Sequence, residues 1–248
     1  MAVQPNPAKN TDNNAGAALM LGVFLCAGLL GLGFILAKAA VDVKEYERSV
    51  TVKGLAEREM SADVVIWPIQ FTEASNDLGA LYGALDDSTN KIKSFLLTNH
   101  IAGEDISVSA PAITDKSAQQ YGNNGAAEFR YTALQSVTVY SKNIGAVRAV
   151  MGELSELGKQ GVVITRGDYQ AQTEYLFTGL NEIKPAMIEE ATKKAREVAN
   201  KFAADSDSTL GKIKRASQGQ FSISPRDKNN PHIKKVRVVS TVEYYLSD

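Results

Sequence analysis

The stretch SVTVKGLAEREMSADVVIWPIQF, residues 49–71, contains two runs of β-branched and aromatic residues that predict two strands. The first run begins at Val50 and the second covers residues 64–71, with Glu-Arg-Glu at residues 57–59 between them. Proline has no N–H to donate to a β-ladder, so Pro68 predicts that the second strand lies at a sheet edge or is bulged there. Because an edge strand can pair with another subunit, Pro68 is a candidate interaction residue.

Helical periodicity appears in three later stretches. Residues 76–99 carry apolar residues at helical spacing behind Asp77, whose charge suits the helix dipole. Residues 144–157 show a shorter stripe that Gly158 and Gly161 end. Residues 184–205 predict the clearest helix of this part, with Pro185 in its first turn. Its expected buried face consists of Met187, Ile188, Ala191, Ala195, Val198 and Phe202.

Further strand patterns lie between and after these helices. They cover residues 106–109, 131–140, 162–164, 172–177, 212–223 and 233–246. The stretch 115–128 is rich in Gln, Asn, Gly and Ala and predicts a loop. Strands interspersed with three helices predict an α+β or α/β domain over residues 49–246.

The N-terminal part carries an apolar run. Residues 15–37 contain no charge, and as a helix they would span about 34 Å at about 1.5 Å per residue, slightly more than a bilayer core. We therefore expect a polar leader at 1–14, a transmembrane helix at 15–37 and a charged linker at 38–48. The alternative is a secretory signal cleaved after Ala39, since Ala37-Lys38-Ala39 has the small-x-small form that signal peptidase reads.

Both interpretations export the domain. The flanking charges alone favour a cytoplasmic C-terminal side, but long domains cross the membrane largely regardless of charge. The C-terminal domain is therefore expected on the exported side of a membrane, anchored by the helix or released after cleavage.

Small residues line one face of the apolar run. Ala18, Gly22 and Cys26 recur every four residues, a spacing that lets two membrane helices approach closely. They are candidate helix-association residues, although Gly and Ala are also simply common in membrane helices.

Composition excludes several classes of function. The charges nearly balance, with 27 Lys and Arg against 28 Asp and Glu, which is unlike a nucleic-acid-binding polycation. A single cysteine excludes an internal disulfide and a cysteine-rich metal site. We expect no cofactor and no nucleic-acid partner.

Four stretches together resemble the SIMPL-domain family, which includes the YggE-like exported bacterial proteins. They are SVTVKGLAEREMSADVV, GEDISVSAPAI, PAMIEEATKKAREVANKFA and LGKIKRASQGQFSI, in that order along the chain. The sequence departs at Ala62, where many relatives have proline. The resemblance implies an α+β exported domain, often membrane-anchored, with large homo-oligomers and a link to envelope or oxidative-stress tolerance among relatives. The location it implies here is the bacterial inner membrane with the C-terminal domain in the periplasm, or the periplasm alone after cleavage near Ala39. The resemblance implies no reaction, cofactor or catalytic residue.

The titratable residues give weak signals for chemistry. His100 ends a predicted helix, where an imidazolium complements the dipole, and His232 is expected to be solvated in a turn. An acidic cluster that binds a hard cation or performs acid–base catalysis is a second candidate site. Its members would be Asp63, Asp105 and Glu57, together with Glu59 and Glu104. Roles in turns and caps explain the same residues.

The strongest asymmetry is a basic C-terminal region. Residues 184–237 hold 13 Lys and Arg against 6 Asp and Glu. The basic residues of two adjacent predicted strands form a candidate interaction hairpin: Lys212, Lys214, Arg215, Lys234, Lys235 and Arg237. Such a hairpin could contact anionic lipid, pair with the acidic half of a neighbouring subunit, or simply keep a sheet soluble.

The sequence therefore favours a non-enzymatic, membrane-anchored envelope protein that acts by homo-oligomeric assembly or protein interaction. The alternatives are a periplasmic ligand-binding module or enzyme that uses the acidic cluster, and an adaptor that binds anionic lipid through the basic hairpin.

Overall fold

The structure, a computed structural model, describes residues 12–46, 48–118, 128–165 and 172–247. Residues 1–11 of the expected leader and residues 119–127 of the expected loop lie outside this part. The helices are α1 Asp12–Tyr46, α2 Leu78–Thr98, α3 Ile144–Met151, α4 Ser155–Lys159 and α5 Leu180–Asp205. The strands are β1 Ser49–Ser61, β2 Val64–Ser75, β3 Ile106–Val108, β4 Ala112–Asp115, β5 Tyr131–Ser141, β6 Glu174–Leu176, β7 Thr209–Gln218, β8 Ser222–Pro225 and β9 Ile233–Ser247.

The strands form two sheets, and the α+β class is confirmed. The first sheet has the order β1–β9–β7, with β8 also paired to β9. The second has the order β3–β5–β2–β6, with β4 also paired to β5. By its contacts the chain divides into two compact units. The first unit is Met1–Gly54, Ala191–Gln218 and Ser240–Asp248; the second is Leu55–Glu190 and Gly219–Val239.

The second unit is built around β2 and β5. Their antiparallel register runs without a shift from Val65 opposite Ser141 to Ser75 opposite Tyr131. The inward side chains of β2, among them Trp67, Ile69 and Phe71, are buried together with the apolar face of α2. The helix begins as expected, because the Asp77 Oδ1 accepts a hydrogen bond from the Ala80 N–H at 2.8 Å.

Pro68 lies neither on an edge strand nor at a shift in the β2–β5 register, so both predicted alternatives are wrong. β2 pairs with β5 along one side and with β6 at Val64–Ile66 on the other. Further along that second side, Thr72 N–H donates to Val163 O and Thr165 N–H donates to Gln70 O. Backbone N–H groups two residues apart point the same way, so an N–H at position 68 would face this second side. Pro68 lies there between the stretch that pairs with β6 and the stretch that bonds to residues 163–165. The strand thus accepts a proline without losing a β5 hydrogen bond.

The first unit packs α5 against β1 and β9. Its core consists of Val52, Ala195, Ala199, Val242 and Tyr244. The approach is close because β1 carries Gly54: a Cβ at this position would collide with the carbonyl oxygen of Ala191 and the nitrogen of Ala195. The helix backbone therefore rests directly on the strand.

The buried face of α5 is only partly the expected one. Met187, Ala191 and Ala195 are buried as predicted, but Val198 and Phe202 are 38% and 54% exposed. Ala199 and Ala203 are buried in their place, so the contact face is a row of alanines four residues apart. The larger side chains lie on the flank because the close approach at Gly54 leaves room only for alanine.

The apolar N-terminal run is helical. Within α1, Gly16–Val41 is long and apolar enough to cross a membrane, with a mean hydropathy of 2.5 and no part of that window buried. Ala18, Gly22 and Cys26 all lie on this helix and are exposed. The helix continues to Tyr46, through most of the segment expected to be a linker.

Candidate functional site

One face of the first sheet carries polar and charged residues. β1 alternates, with Val52, Gly54 and Ala56 buried and Thr51, Lys53 and Leu55 exposed. The buried set faces α5, so Thr51 and Lys53 lie on the opposite, open face. A depression of about 390 Å³ lies there, lined by Thr51, Arg215, Ser217, Thr241 and Glu243. All five residues belong to the first unit.

Glu243 is the best-connected side chain of this depression. Its Oε1 accepts a hydrogen bond from the Ser49 hydroxyl at 2.6 Å and lies 3.1 Å from the Lys214 Nζ. The Ser49 hydrogen bond, followed by Lys214, holds the pKa of the Glu243 carboxyl below its ordinary value. Glu243 is therefore ionised at neutral pH, and its charge is locally compensated.

A second polar group surrounds His232 in the second unit. His232 Nε2 lies 3.1 Å from Arg148 Nη1, and its ring is tilted against Tyr175 with the ring centres 6.0 Å apart. A guanidinium only donates, so Nε2 accepts and the neutral ring carries its proton on Nδ1. Nδ1 is buried and has no hydrogen-bond partner among the described residues. His232 is thus packed and oriented, and the expectation of a solvated turn residue is wrong.

This geometry predicts an acid-sensitive contact at His232. Burial, with Arg148 and Arg226 nearby, lowers the pKa of His232 below its ordinary value, although Asp227 opposes the shift. The folded state then binds fewer protons than the unfolded state, so stability is lost as pH falls from about 6.5 toward the lowered pKa. In the wild type we expect the thermal midpoint to fall by a few degrees between pH 7 and pH 5. His232→Gln, which keeps an acceptor for Arg148, should flatten that slope.

The other histidine provides the control. His100 has a φ of 62° at the end of α2, so His100→Asn is the variant that tolerates this backbone. It removes an imidazole outside the Arg148 contact, so a flattened pH slope in His232→Gln but not in His100→Asn assigns the acid sensitivity to His232. If the thermal midpoint changes equally with pH in the wild type and in His232→Gln, the acid sensitivity does not come from His232.

The expected acidic cluster is not assembled as one site. Asp63 accepts hydrogen bonds from Thr178 and Gly179, directly before α5. Glu57 pairs with Lys235 at 3.3 Å and Glu59 with Arg226 at 3.5 Å. Asp105 ends a short 3-10 helix that also contains Glu104. Within the described ranges, no three Asp, Glu, His or Cys residues are placed to hold a metal ion.

The two predicted strands do pair, since β7 and β8 are both antiparallel to β9, but the basic residues occupy two separate stretches of this hairpin. Lys212, Lys214 and Arg215 lie on β7 in the first unit, whereas Lys234, Lys235 and Arg237 pair with β8 in the second. Lys234 is only 8% exposed, so its prediction as part of a charged surface is wrong. Burial lowers its pKa, while Glu174 opposes the shift. Lys212 and Arg237 are exposed, and Lys214 and Lys235 make the ion pairs described above.

Sequence reasoning missed the depression on the open face and the contact between Arg148 and His232. Alternation in β1 would have placed Thr51 and Lys53 on one face. Arg215 lies opposite Glu243 only because the β7–β9 register shifts twice between Leu210 and Arg215, and no sequence pattern indicates these shifts.

These features define an α+β protein with an exposed apolar N-terminal helix and a helix-covered sheet whose other face is polar. The profile of the SIMPL family, described as a protein of unknown function (DUF541), matches residues 50–243. The chain belongs to this family, and the match spans both compact units. No curated protein matches the chain.

Proposed function

We propose that this is a non-enzymatic, membrane-anchored protein of the bacterial envelope that acts through homo-oligomeric assembly. The observation that carries the proposal is the outer edge of β7. Among the described strands β7 pairs only with β9, and all its residues from Lys212 to Gln218 are exposed. Peptide groups along such an edge are a template for pairing with another strand.

The register identifies which peptide groups face outward. Gly219 N–H donates to Val239 O at 2.8 Å, and Ser217 lies opposite Thr241 in the same register. N–H groups of Ser217 and Arg215 therefore point toward β9, and that of Ala216 points away from it. The regular part of β7, residues 215–218, is the part suited to pairing. The earlier part is shifted in register and carries Lys212 and Lys214, features that protect an edge.

The other edge of the sheet offers a complementary strand. β1 runs antiparallel to β9, since Leu246 N–H donates to Arg48 O and Ala62 N–H donates to His232 O. β7 also runs antiparallel to β9, so β1 and β7 run in the same direction. Pairing of β7 with β1 of the next copy joins two different surfaces, and such a head-to-tail contact forms a ring when the rotation between copies closes.

Anchoring supports the same proposal. The exposed apolar window of α1 buries its surface if it crosses a bilayer, and confinement in a membrane raises the local concentration of copies. The proposed location is the inner membrane with the domain in the periplasm, or the periplasm alone if the segment is cleaved near Ala39. The link to envelope or oxidative-stress tolerance rests on the resemblance to the family and is part of the proposal.

Ala216→Pro tests the edge. Proline removes the outward N–H and leaves the bonds to β9 in place, because edge strands tolerate proline where the N–H faces solvent. We expect light scattering on the full chain in detergent to show an oligomer for the wild type and a shift to the monomer for Ala216→Pro.

Ala216→Thr is the matched control, because threonine keeps the backbone N–H and is favoured in strands. This variant should keep the oligomer mass of the wild type. A monomeric wild type, or an Ala216→Pro variant of unchanged mass, would reject assembly through this edge.

A further inference from the structure

The depression on the open face of the first sheet has the volume of a small-ligand site, and its lining is polar. Its volume of about 390 Å³ lies within the range of about 300–1,000 Å³ typical of such sites. Thr51, Ser217 and Thr241 contribute three hydroxyl side chains, and Arg215 contributes a guanidinium. Arg215 and Ser217 lie within the β7 segment proposed to pair, but pairing uses backbone groups along the edge of the strand, whereas the depression is lined by side chains on the open face.

The strand register brings these groups to the same face. Arg215 lies opposite Glu243 and Ser217 opposite Thr241, and directly opposite residues of an antiparallel pair project on the same side. The other side of the sheet is closed by α5, where Ala195 and Ala199 pack against Val242 and Tyr244. The donors therefore converge on a surface open to solvent.

The balance of charge at this face is positive. The one carboxylate, Glu243, is compensated by Lys214 and by the hydrogen bond from Ser49. In the part of the chain that the structure describes, neither Arg215 nor the exposed Lys53 has a carboxylate oxygen within 4 Å. Arg215 lies close enough to Glu243 to contribute to the lowered pKa of that carboxyl, but it makes no ion pair with it within 4 Å, so its guanidinium donors remain available to an anion that enters the depression.

We propose that this depression binds a phosphate-class oxyanion, held by the Arg215 guanidinium and the hydroxyls of Thr51, Ser217 and Thr241. A guanidinium fork donates two parallel hydrogen bonds to phosphate oxygens, and the hydroxyls supply donors to the remaining oxygens. A tetrahedral oxyanion accepts from all these groups, whereas a planar carboxylate offers only two oxygens. Lys53 adds long-range attraction without a fixed contact.

The anion has two sources of the same chemistry. One is a soluble phosphate or phosphate ester, and the other is the phosphodiester of a lipid headgroup. Thr51 follows Arg48 by three residues, and Arg48 lies just beyond the end of α1 at Tyr46. The lipid source rests on the proposed membrane anchoring, whereas binding of a soluble phosphate does not.

The first arm of the test uses the full chain in a neutral detergent without phosphorus. Titration calorimetry with inorganic phosphate, against potassium chloride at equal ionic strength, should show saturable binding at one site. Arg215→Gln should weaken it at least about tenfold, the loss expected for a charge-assisted hydrogen bond. Arg237→Gln is the matched control, because it removes one exposed positive charge from a strand of the second unit and should bind as the wild type does.

The second arm uses monomeric dihexanoylphosphatidylglycerol in the same detergent, followed by phosphorus NMR line broadening. Broadening by the wild type and Arg237→Gln but not by Arg215→Gln, without binding of inorganic phosphate, would assign the site to a lipid headgroup. Binding of inorganic phosphate alone would assign it to a soluble ligand and would hold even if membrane anchoring failed. If neither inorganic phosphate nor the lipid binds, or if Arg215→Gln and Arg237→Gln lose binding equally, the proposed anion site is wrong.

Discussion

Gly54→Ala should be the most damaging single-methyl substitution among the predictions made for this protein. The added Cβ would meet the carbonyl oxygen of Ala191 and the nitrogen of Ala195, which are helix backbone and cannot rotate away. Relief requires α5 to move off β1, so the cost should lie at the upper end of the about 1–3 kcal/mol typical of overpacking. We expect the thermal midpoint of the full chain in detergent, followed by near-UV circular dichroism, to fall by about 6–12 °C.

Gly83→Ala is the control for the same chemical change. Gly83 is exposed within α2, and a Cβ there meets no atom within 4 Å. Alanine is the better helix former by up to about 1 kcal/mol, so this variant should be slightly more stable than the wild type. Opposite signs for the two glycines would show that close approach sets the requirement at Gly54. A wild-type midpoint for Gly54→Ala would mean that α5 does not rest on β1 as described.

The same contact explains why the buried face of α5 was only half predicted. Hydrophobic periodicity ranks Val198 and Phe202 above Ala199 as buried residues, because it weighs side-chain size and not the space available. Gly54 brings the helix so close to the strand that alanine alone fits between them.

The α+β class and the presence of the helices follow from local patterns. The bounds do so less well, because α5 begins at Leu180 and holds Pro185 inside the helix and not in its first turn, and the stretch 144–157 forms two helices. The choice of buried face depends on a glycine more than 130 residues earlier in the sequence.

Residues of the candidate sites were predicted less well than the elements that carry them. The sequence placed Lys214 and Arg215 on a strand, but their partner Glu243 and the depression beside them depend on shifts in the β7–β9 register. His232 looked solvated because it stands among turn residues. Its burial comes from Arg148 and Tyr175, which are 84 and 57 residues away in sequence. Contacts of this kind are set by the tertiary arrangement and leave no periodic signal.

Asp63→Ala should give the second large loss of stability. Both Asp63 carboxylate oxygens accept from the Thr178 N–H, at 3.0 and 2.8 Å, and Oδ2 also accepts from the Thr178 hydroxyl and the Gly179 N–H. These donors lie directly before α5, where a negative charge also favours the helix dipole. Loss of such a cap costs about 1–2 kcal/mol, so we expect the midpoint to fall by about 2–8 °C.

Asp63→Asn and Asp86→Ala separate a cap from a ligand site. Asn keeps one acceptor oxygen and should recover part of the lost stability, because Asn is also a good cap residue. Asp86 is exposed on α2, so Asp86→Ala removes an equal charge and should leave the midpoint near that of the wild type. Removal of a catalytic carboxylate would have a different effect on the midpoint, since it usually leaves stability unchanged or raises it. A stable Asp63→Ala variant would therefore reopen the acidic-site hypothesis, and a destabilised one that Asn partly restores assigns Asp63 to the start of α5.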